Sequence, residues 1–362
     1  MQPVLASASA GRLVRVKLAP VDALQRALGV TRVARVTGLD RAGVEVACAV
    51  RPGGHVLQVT NGKGESWETA RASALSEAAE LWAAERIPAP LCFGAADQLG
   101  PRAWFDAAPL AAPRLASNSL RIAWIAARDL VSGAEVLVPA QAVHCPPPGS
   151  AFVGPAPFRW ASNGMGAHPD RSQALLHALL EAAERDGLAR ALPLGWNPAA
   201  IRLRKLAART LPGRASALRE RLLGQGLEAH CFDLSDALPV AAAVLVDREE
   251  GPIPATAGYA CALLPDDALL RALLEAAQSR LTDVHGARED VSPMDRPAAR
   301  LLARACAGAR GIRDAARMPS VRGGVAGAVR ALGWRRAAAV ELAAPLPVIK
   351  VLVPGLRVSE LL

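Results

Sequence analysis

The sequence predicts an α/β fold of the mixed α+β kind, built from repeated strand–turn–helix units. Three observations carry that prediction. Strand-like and helix-like runs alternate along the whole chain. Hydrophobic residues make up 52% and charged residues 21%, so 362 residues can bury a core without disulfides or a structural metal, and intrinsic disorder is excluded. A helical word rich in Ala, Leu and Glu also recurs three times at intervals of roughly a hundred residues, each time after a glycine-bearing turn.

The elements follow in order. Within residues 30–60, TRVARVTGL and VEVACAV alternate at about period two, and HVLQVT follows Pro52-Gly53-Gly54, so all three read as strands. Asn61-Gly62-Lys63-Gly64 reads as a turn and Glu68 to Glu85 as a long helix. Residues 87–116 are proline-rich and read as irregular. Residues 122–143 read as a strand, a Ser-Gly turn and a second strand. Prolines on both sides mark a loop at Pro146–Pro157. The turn Ser162-Asn163-Gly164-Met165-Gly166 then leads into a helix over 171–191, and a basic helical stretch covers 199–224. CFDLS and PVAAAVLVD read as buried strands, Gly258 to Cys261 precede a third helix over Asp266–Thr282, and LPVIKVLVP closes the series as a strand.

Composition narrows the function classes. No apolar stretch runs to about 18 residues uninterrupted, so no membrane span is expected. The start MQPVLASASAGRLVR has no basic region followed by an apolar one, so nothing marks secretion. The six cysteines form no CxxC, which fits reduced thiols in a cytoplasm. The net charge is +9, but the arginines are dispersed and aromatics total only 4%, too few for nucleic-acid stacking. An anionic ligand or an acidic partner suits that charge.

The repeat holds the chemistry. Ala74-Leu75-Ser76-Glu77-Ala78-Ala79-Glu80 matches Ala178-Leu179-Leu180-Glu181-Ala182-Ala183-Glu184 and Ala272-Leu273-Leu274-Glu275-Ala276-Ala277-Gln278. Residues three apart share one helix face, so Glu77/Glu80 and Glu181/Glu184 are paired carboxylates. Two carboxylates that close repel each other, and a divalent cation relieves the repulsion. Oxygen-only ligands select Mg²⁺ or Ca²⁺ over zinc, and Mg²⁺ bridges carboxylates to phosphates. One such pair alone reads equally as a solvated helix face. Three matched contexts, each behind a glycine-rich turn able to offer N–H groups to anions, favour a site. In the third helix Gln278 replaces the second Glu and Arg280 is added, so metal-bound phosphates would be clamped from both sides.

These residues carry a resemblance. TNGKGESWETARASALSEAAE, SNGMGAHPDRSQALLHALLEAAERD and RALLEAAQSRLTDVHGARED resemble, in order, the three signatures of the YcaO family. LPVIKVLVPGLR is similar to that family's C-terminal strand and turn, and GVTRVARVTGLDRAGVEV to the N-terminal segment of its stand-alone members. The resemblance implies a single YcaO-like domain over 1–362, with units at 25–150, 151–250 and 251–362 arranged around an ATP and Mg²⁺ site. It implies ATP-dependent phosphorylation of a backbone amide oxygen, followed by attack of a nucleophile on the amide carbon. Carried over by position, Glu77, Glu80, Glu181 and Glu184 fall on the metal positions. Lys63, Ser73, Gln278, Arg280 and Arg288 join them at the nucleotide, and Glu77, Glu184 and Arg288 fall on catalytic positions.

Some residues depart from the family pattern. Leu81 follows Glu80 where the first signature has Arg, so that cation is absent or supplied from elsewhere. The third signature reads Arg288-Glu289-Asp290 where Arg-Asp-Asp is common. The chain ends Arg357-Val358-Ser359-Glu360-Leu361-Leu362, without the Pro-x-Pro tail of azoline formers. Those features favour thioamide formation with a TfuA-like sulfur-delivery protein over an azoline-forming cyclodehydratase or a non-catalytic peptide-binding scaffold. The expected partners are a peptide or protein substrate, the sulfur-delivery protein and a homodimer mate, with neither nucleic acid nor membrane. The six histidines show no metal-ligand spacing, although His177 lies one turn before Glu181.

Overall fold

The computed structural model describes residues 21–87, 92–111, 113, 117–149, 157–249, 251–286 and 295–357. Its first elements are α1 (Val21–Ala27), β1 (Arg32–Arg35), β2 (Glu45–Val50), β3 (Val59–Gly64) and α2 (Trp67–Ala84). Then come β4 (Cys92–Ala95), α3 (Ala96–Leu99), β5 (Arg121–Asp129), β6 (Glu135–Pro139), α4 (Ala140–Val143), β7 (Met165–Ala167) and α5 (Arg171–Ala191). They are followed by α6 (Pro198–Arg204), α7 (Gly213–Gly224), β8 (Leu227–Asp233), β9 (Val240–Asp247), β10 (Ala255–Cys261) and α8 (Pro265–His285). The last are α9 (Arg296–Gly308), α10 (Gly324–Leu332), β11 (Ala338–Leu342) and β12 (Val348–Leu352).

The strands form three antiparallel sheets. Two have three strands, β1-β2-β3 and β10-β9-β8, and the third runs β4-β5-β11-β12-β7 with β6 on β5. Each sheet carries one long helix: α2 lies on β3, α5 on β7 and β12, and α8 on β10. Start signals are local. Ser66 caps α2 by accepting from Thr69 N, Asp170 caps α5 through Gln173 N, and Pro265 opens α8 at its first turn. The β8–β10 sheet is covered on both faces. Ala241, Ala243 and Leu245 pack with α8, whereas Ala242, Val244 and Val246 pack with α5.

The glycine-rich segments do a different job from the one their sequence suggests. Asn61-Gly62-Lys63-Gly64 belongs to strand β3, and Met165-Gly166 to β7, so neither is a turn at those residues. A Cβ on Gly62 would stand 2.1 Å from Ala74 N, one on Gly166 2.4 Å from Ala174 O, and one on Gly258 2.2 Å from Ala276 N. Glycine is required because strand and helix backbones touch there. Only Gly164, at φ +78, supplies a left-handed turn in these segments.

Those contacts also set the register of the repeat. Gly62 abuts Ala70 and Ala74, Gly166 abuts Ala174 and Ala178, and Gly258 abuts Ala272 and Ala276. Thr60 Oγ1 donates to Ala74 O at 2.9 Å and Thr256 Oγ1 to Ala276 O at 2.8 Å. In space Ala74 and Ala178 therefore match Ala276, one turn later than the sequence match to Ala272. Helix α8 begins seven residues before Ala272, whereas α2 and α5 begin three before Ala70 and Ala174, so α8 carries an extra N-terminal turn. Glu275 stands level with Ser73 and His177, and Ser279 and Thr282 occupy the levels of the two paired glutamates.

Other differences are smaller. The 199–224 stretch is two helices, α6 and α7. The 87–116 segment contains β4, and β11 was not anticipated. The boundary at 250 falls inside the connection between paired strands β9 and β10, and α5 packs on the C-terminal strand β12, so the sheets do not follow the three segments. All six cysteines are free thiols. Among the described residues no helix is long and apolar enough to cross a membrane.

Candidate active site

The three helices are tied in a ring. Glu80 on α2 accepts from Ala167 N on β7 at 2.8 Å, and Glu184 on α5 accepts from Cys261 N on β10 at 3.0 Å. Thr282 on α8 stands at the same level and accepts from Asn61 Nδ2 on β3 at 2.9 Å. Each unit thus bonds the strand of the next, and the third returns to the first. In Glu80 and Glu184 one carboxylate oxygen is fixed by a backbone N–H, which orients the other.

Around this ring the charges interleave. Arg185 lies 3.6 Å from Glu181 and 3.4 Å from Glu184. Lys63 Nζ meets Glu275 at 2.6 Å, and Glu275 also accepts from Tyr259 N at 3.3 Å. Lys350 on β12 is 1% exposed, donates to Ala161 O and lies 5.7 Å from the centre of the Trp160 ring. A lysine is seldom that buried without a charge to answer. Its ammonium faces Glu80 and Glu181.

The electrostatics divide the carboxylates into two kinds. Burial, then the neighbouring charges of Glu181 and Glu77, push the Glu80 carboxyl well above its ordinary range. Burial takes Glu181 to about 7 against the pull of Arg185, and raises Glu184 with help from Glu275. Burial would raise Glu275 too, but Lys63 and Arg185 outweigh it and hold that carboxyl below its usual value. Burial lowers Lys350 to about 8, opposed by Glu181 and Glu80. Glu77, Glu80, Glu181 and Glu184 are thus hard oxygen donors crowded together, with Glu80, Glu181 and Glu184 still pushed up despite Arg185 and Lys350, and they fit a divalent cation. Among the described residues no three His, Cys, Asp or Glu side chains form a finished metal cage.

Not every sequence-assigned residue joins this cluster. Ser73 is half-buried one turn before Glu77. Gln278 is buried, and its Oε1 has no hydrogen-bond partner among the described residues. Arg280 is turned away. Its guanidinium is taken up by Asp40 at 3.0 Å, Asp247 at 3.1 Å and Ile253 O at 2.9 Å, in a buried network that pins α8 to its sheet. Every guanidinium nitrogen of Arg280 is engaged in that network, which corrects its assignment to the nucleotide. Arg288 lies outside the described residues, as does the tail from Val358 to Leu362. His177 faces His168 edge to face at 5.6 Å, and burial, with Arg271 nearby, lowers it to about 4.

Three members were missed from sequence. Arg185 follows Glu184 directly, and Glu275 was seen only as a repeat position. Lys350 had a signal, since one lysine interrupts the apolar strand LPVIKVLVP. It also explains Leu81. The cation beside Glu80, absent after it in sequence, comes from β12.

A family profile described as "YcaO cyclodehydratase, ATP- and Mg²⁺-binding" matches residues 61–357. This chain belongs to the YcaO family. A protein of Rhizobium leguminosarum bv. trifolii, described as lying in a tfuA 3′ region, is 31% identical over 92% of this chain and 85% of its own. The structure of YcaO from Methanopyrus kandleri bound with AMPPCP and Mg²⁺ is similar at TM-score 0.69 and 25% identity, over 92% of this chain and 88% of that one. A heterocyclase solved with substrate and cofactor shares the fold at TM-score 0.71 and 19% identity, over 93% of this chain and 52% of the heterocyclase. The fold is the YcaO fold, and the cofactors of the family are ATP and Mg²⁺.

Proposed function

We propose that this chain uses ATP and Mg²⁺ in the cytoplasm to phosphorylate a backbone amide oxygen of a peptide or protein. A sulfur-delivering partner of the TfuA kind then completes a thioamide. The observation that carries this reading is the ring of Glu77, Glu80, Glu181 and Glu184 interleaved with Lys63, Arg185 and Lys350, in a family that binds ATP and Mg²⁺. The four glutamates would hold the metal, which when bound neutralises phosphate charge. Lys63, Ser73 and Gln278 would face the nucleotide.

Phosphoryl transfer asks a protein for position and for compensation of moving charge, more than for covalent chemistry. The chain supplies both. Backbone N–H groups of Ala167 and Cys261 hold Glu80 and Glu184 in place. Arg185 sits where negative charge concentrates between the two glutamates of α5. Once the amide oxygen carries phosphate, the amide carbon is electrophilic. Sulfide adds there, and the carbon–oxygen bond breaks to release phosphate.

The relative from the tfuA region, which covers most of both chains, supports the thioamide outcome. The family's description favours a second reading, cyclodehydration to an azoline. Intact mass separates them. Substrate incubated with enzyme, ATP, Mg²⁺ and sulfide should gain the difference between sulfur and oxygen, and should return unchanged without sulfide. Loss of one water in both incubations would establish the azoline instead.

A further inference from the structure

We propose that a pocket on the other side of Arg185 and Lys350 receives the substrate through a peptide segment that pairs an aliphatic side chain with a carboxylate. The inference rests on the function proposed above and adds a substrate class to it. The five polar side chains lining this pocket are Arg159, Asn163, Arg185, Lys350 and Arg357. All five are hydrogen-bond donors, four of them cationic. None of the described lining residues is acidic or aromatic. The rest of the wall is aliphatic, with Ala182 from α5 and Val353 and Leu356 after β12.

This composition is the reverse of the carboxylate ring next door. Lys350 gives one N–H to Ala161 O. The buried Nε of Arg185 has no hydrogen-bond partner among the described residues. Arg159 and Arg357 are exposed, and neither guanidinium has an ion pair among the described residues. The unpaired guanidinium groups of Arg159 and Arg357, beside the buried cations Arg185 and Lys350 and an aliphatic floor, select an anion attached to an apolar group. A metal-bound nucleotide is a poor occupant, because its cation needs carboxylates and its base profits from an aromatic face, and the described lining residues offer neither. An acidic, aliphatic peptide segment satisfies both halves of the wall. Because Arg185 and Lys350 also face Glu181, a peptide held here runs beside the phosphoryl-transfer site.

The test uses the full chain and two probes, N-acetyl-leucyl-glutamate and its neutral counterpart N-acetyl-leucyl-glutamine, measured by NMR titration with AMPPCP and Mg²⁺ at saturation. The acidic probe should bind with a roughly millimolar constant, about tenfold tighter than the neutral one, and the gap should shrink as salt rises. Arg159→Gln with Arg357→Gln, both at exposed positions, should abolish the gap. Ala108→Phe, on the pocket wall, should abolish binding of both probes. Equal affinities, no binding at about 10 mM, or displacement of the acidic probe by AMPPCP would overturn the proposal. AMPPCP–Mg²⁺ binding is measured on the same samples. Its absence from the unmodified protein would defeat the nucleotide reading while leaving the peptide result to stand or fall alone.

Discussion

Helices α2 and α5 differ from α8 in what they present to the same centre. All three approach a strand glycine through two alanines four residues apart, and all three bond the strand of the next unit. Yet α2 and α5 each bring a pair of glutamates whose carboxyls are crowded, with Glu80, Glu181 and Glu184 pushed up. Helix α8 brings a single Glu275, neutralised by Lys63 and pushed down, and offers Ser279 and Thr282 where the others have carboxylates. One scaffold repeated three times has thus been charged asymmetrically. Two arms carry crowded carboxylates, and the third carries its own cation.

The largest expected effect breaks the cation side. Glu77→Gln with Glu184→Gln should lower ATP turnover roughly a thousandfold, since both arms lose charge that the transferring phosphoryl depends on. Thermal unfolding should change little, because both side chains are half-buried at the site and not in the core. Calorimetry with AMPPCP checks the cause. Tight binding by the double variant without Mg²⁺ would remove the metal assignment.

The scaffold beneath can be tested separately. Gly62→Ala, Gly166→Ala and Gly258→Ala should each cost about 3 kcal/mol or more, because every new Cβ lands within 2.5 Å of helix backbone. Gly38→Ala, where a Cβ meets nothing within 4 Å, should be nearly neutral. Urea titrations of the four variants give the comparison directly. A mild effect at one of the three strand glycines would mean that its unit is not packed like the others.

These glycines also show what sequence could and could not reveal. The long helices were legible to within a few residues, because apolar spacing and capping residues are local. The glycine segments looked like turns because a glycine required by close backbone approach is spelled like one required by positive φ. The α8 register slipped because an extra turn ahead of Ala272 shifts Glu275 without altering the Ala-Leu-Glu wording. Arg280 looked available for phosphate until Asp40, about 240 residues away, was found bonded to it. What Lys350 answers was hidden for the same reason, since its partners Glu80 and Glu181 come from two other segments. Contacts that far apart in sequence leave no local periodicity to read.

The split in carboxyl behaviour predicts a pH signature in metal-free protein. Glu181 is raised from 4.5 to about 7, so the folded chain holds a proton that the unfolded chain has released between those values. Its contribution to stability is therefore greatest at low pH and is lost as pH rises from about 4.5 through 7. With the side chain 25% exposed, solvent screening leaves an effect of about 1–2 kcal/mol. Unfolding in EDTA between pH 5 and pH 8 should show this decline, and Glu181→Gln should make it shallower, the raised Glu80 and Glu184 supplying the rest. Adding Mg²⁺ with AMPPCP should reverse the trend, because the cation requires the charged form. An unchanged slope in Glu181→Gln would place the responsible proton elsewhere in the ring.

The smallest effect is expected on the third arm, and it discriminates most sharply between the two kinds of helix. Glu275 and Lys63 are each about a quarter exposed, so their ion pair adds little stability, and Glu275→Gln should shift unfolding by less than about 1 kcal/mol. Glutamine can still accept from Tyr259 N, which preserves the local geometry. What changes is Lys63, whose ammonium loses its internal counter-charge and becomes available to phosphate. The KM for ATP should therefore fall about threefold, with kcat nearly unchanged. The opposite result, a collapse of turnover like that expected for Glu77→Gln with Glu184→Gln, would make Glu275 a member of the metal set. In that case the ring would be charged symmetrically, and Lys63 would be a placeholder for a cation bound by all three helices.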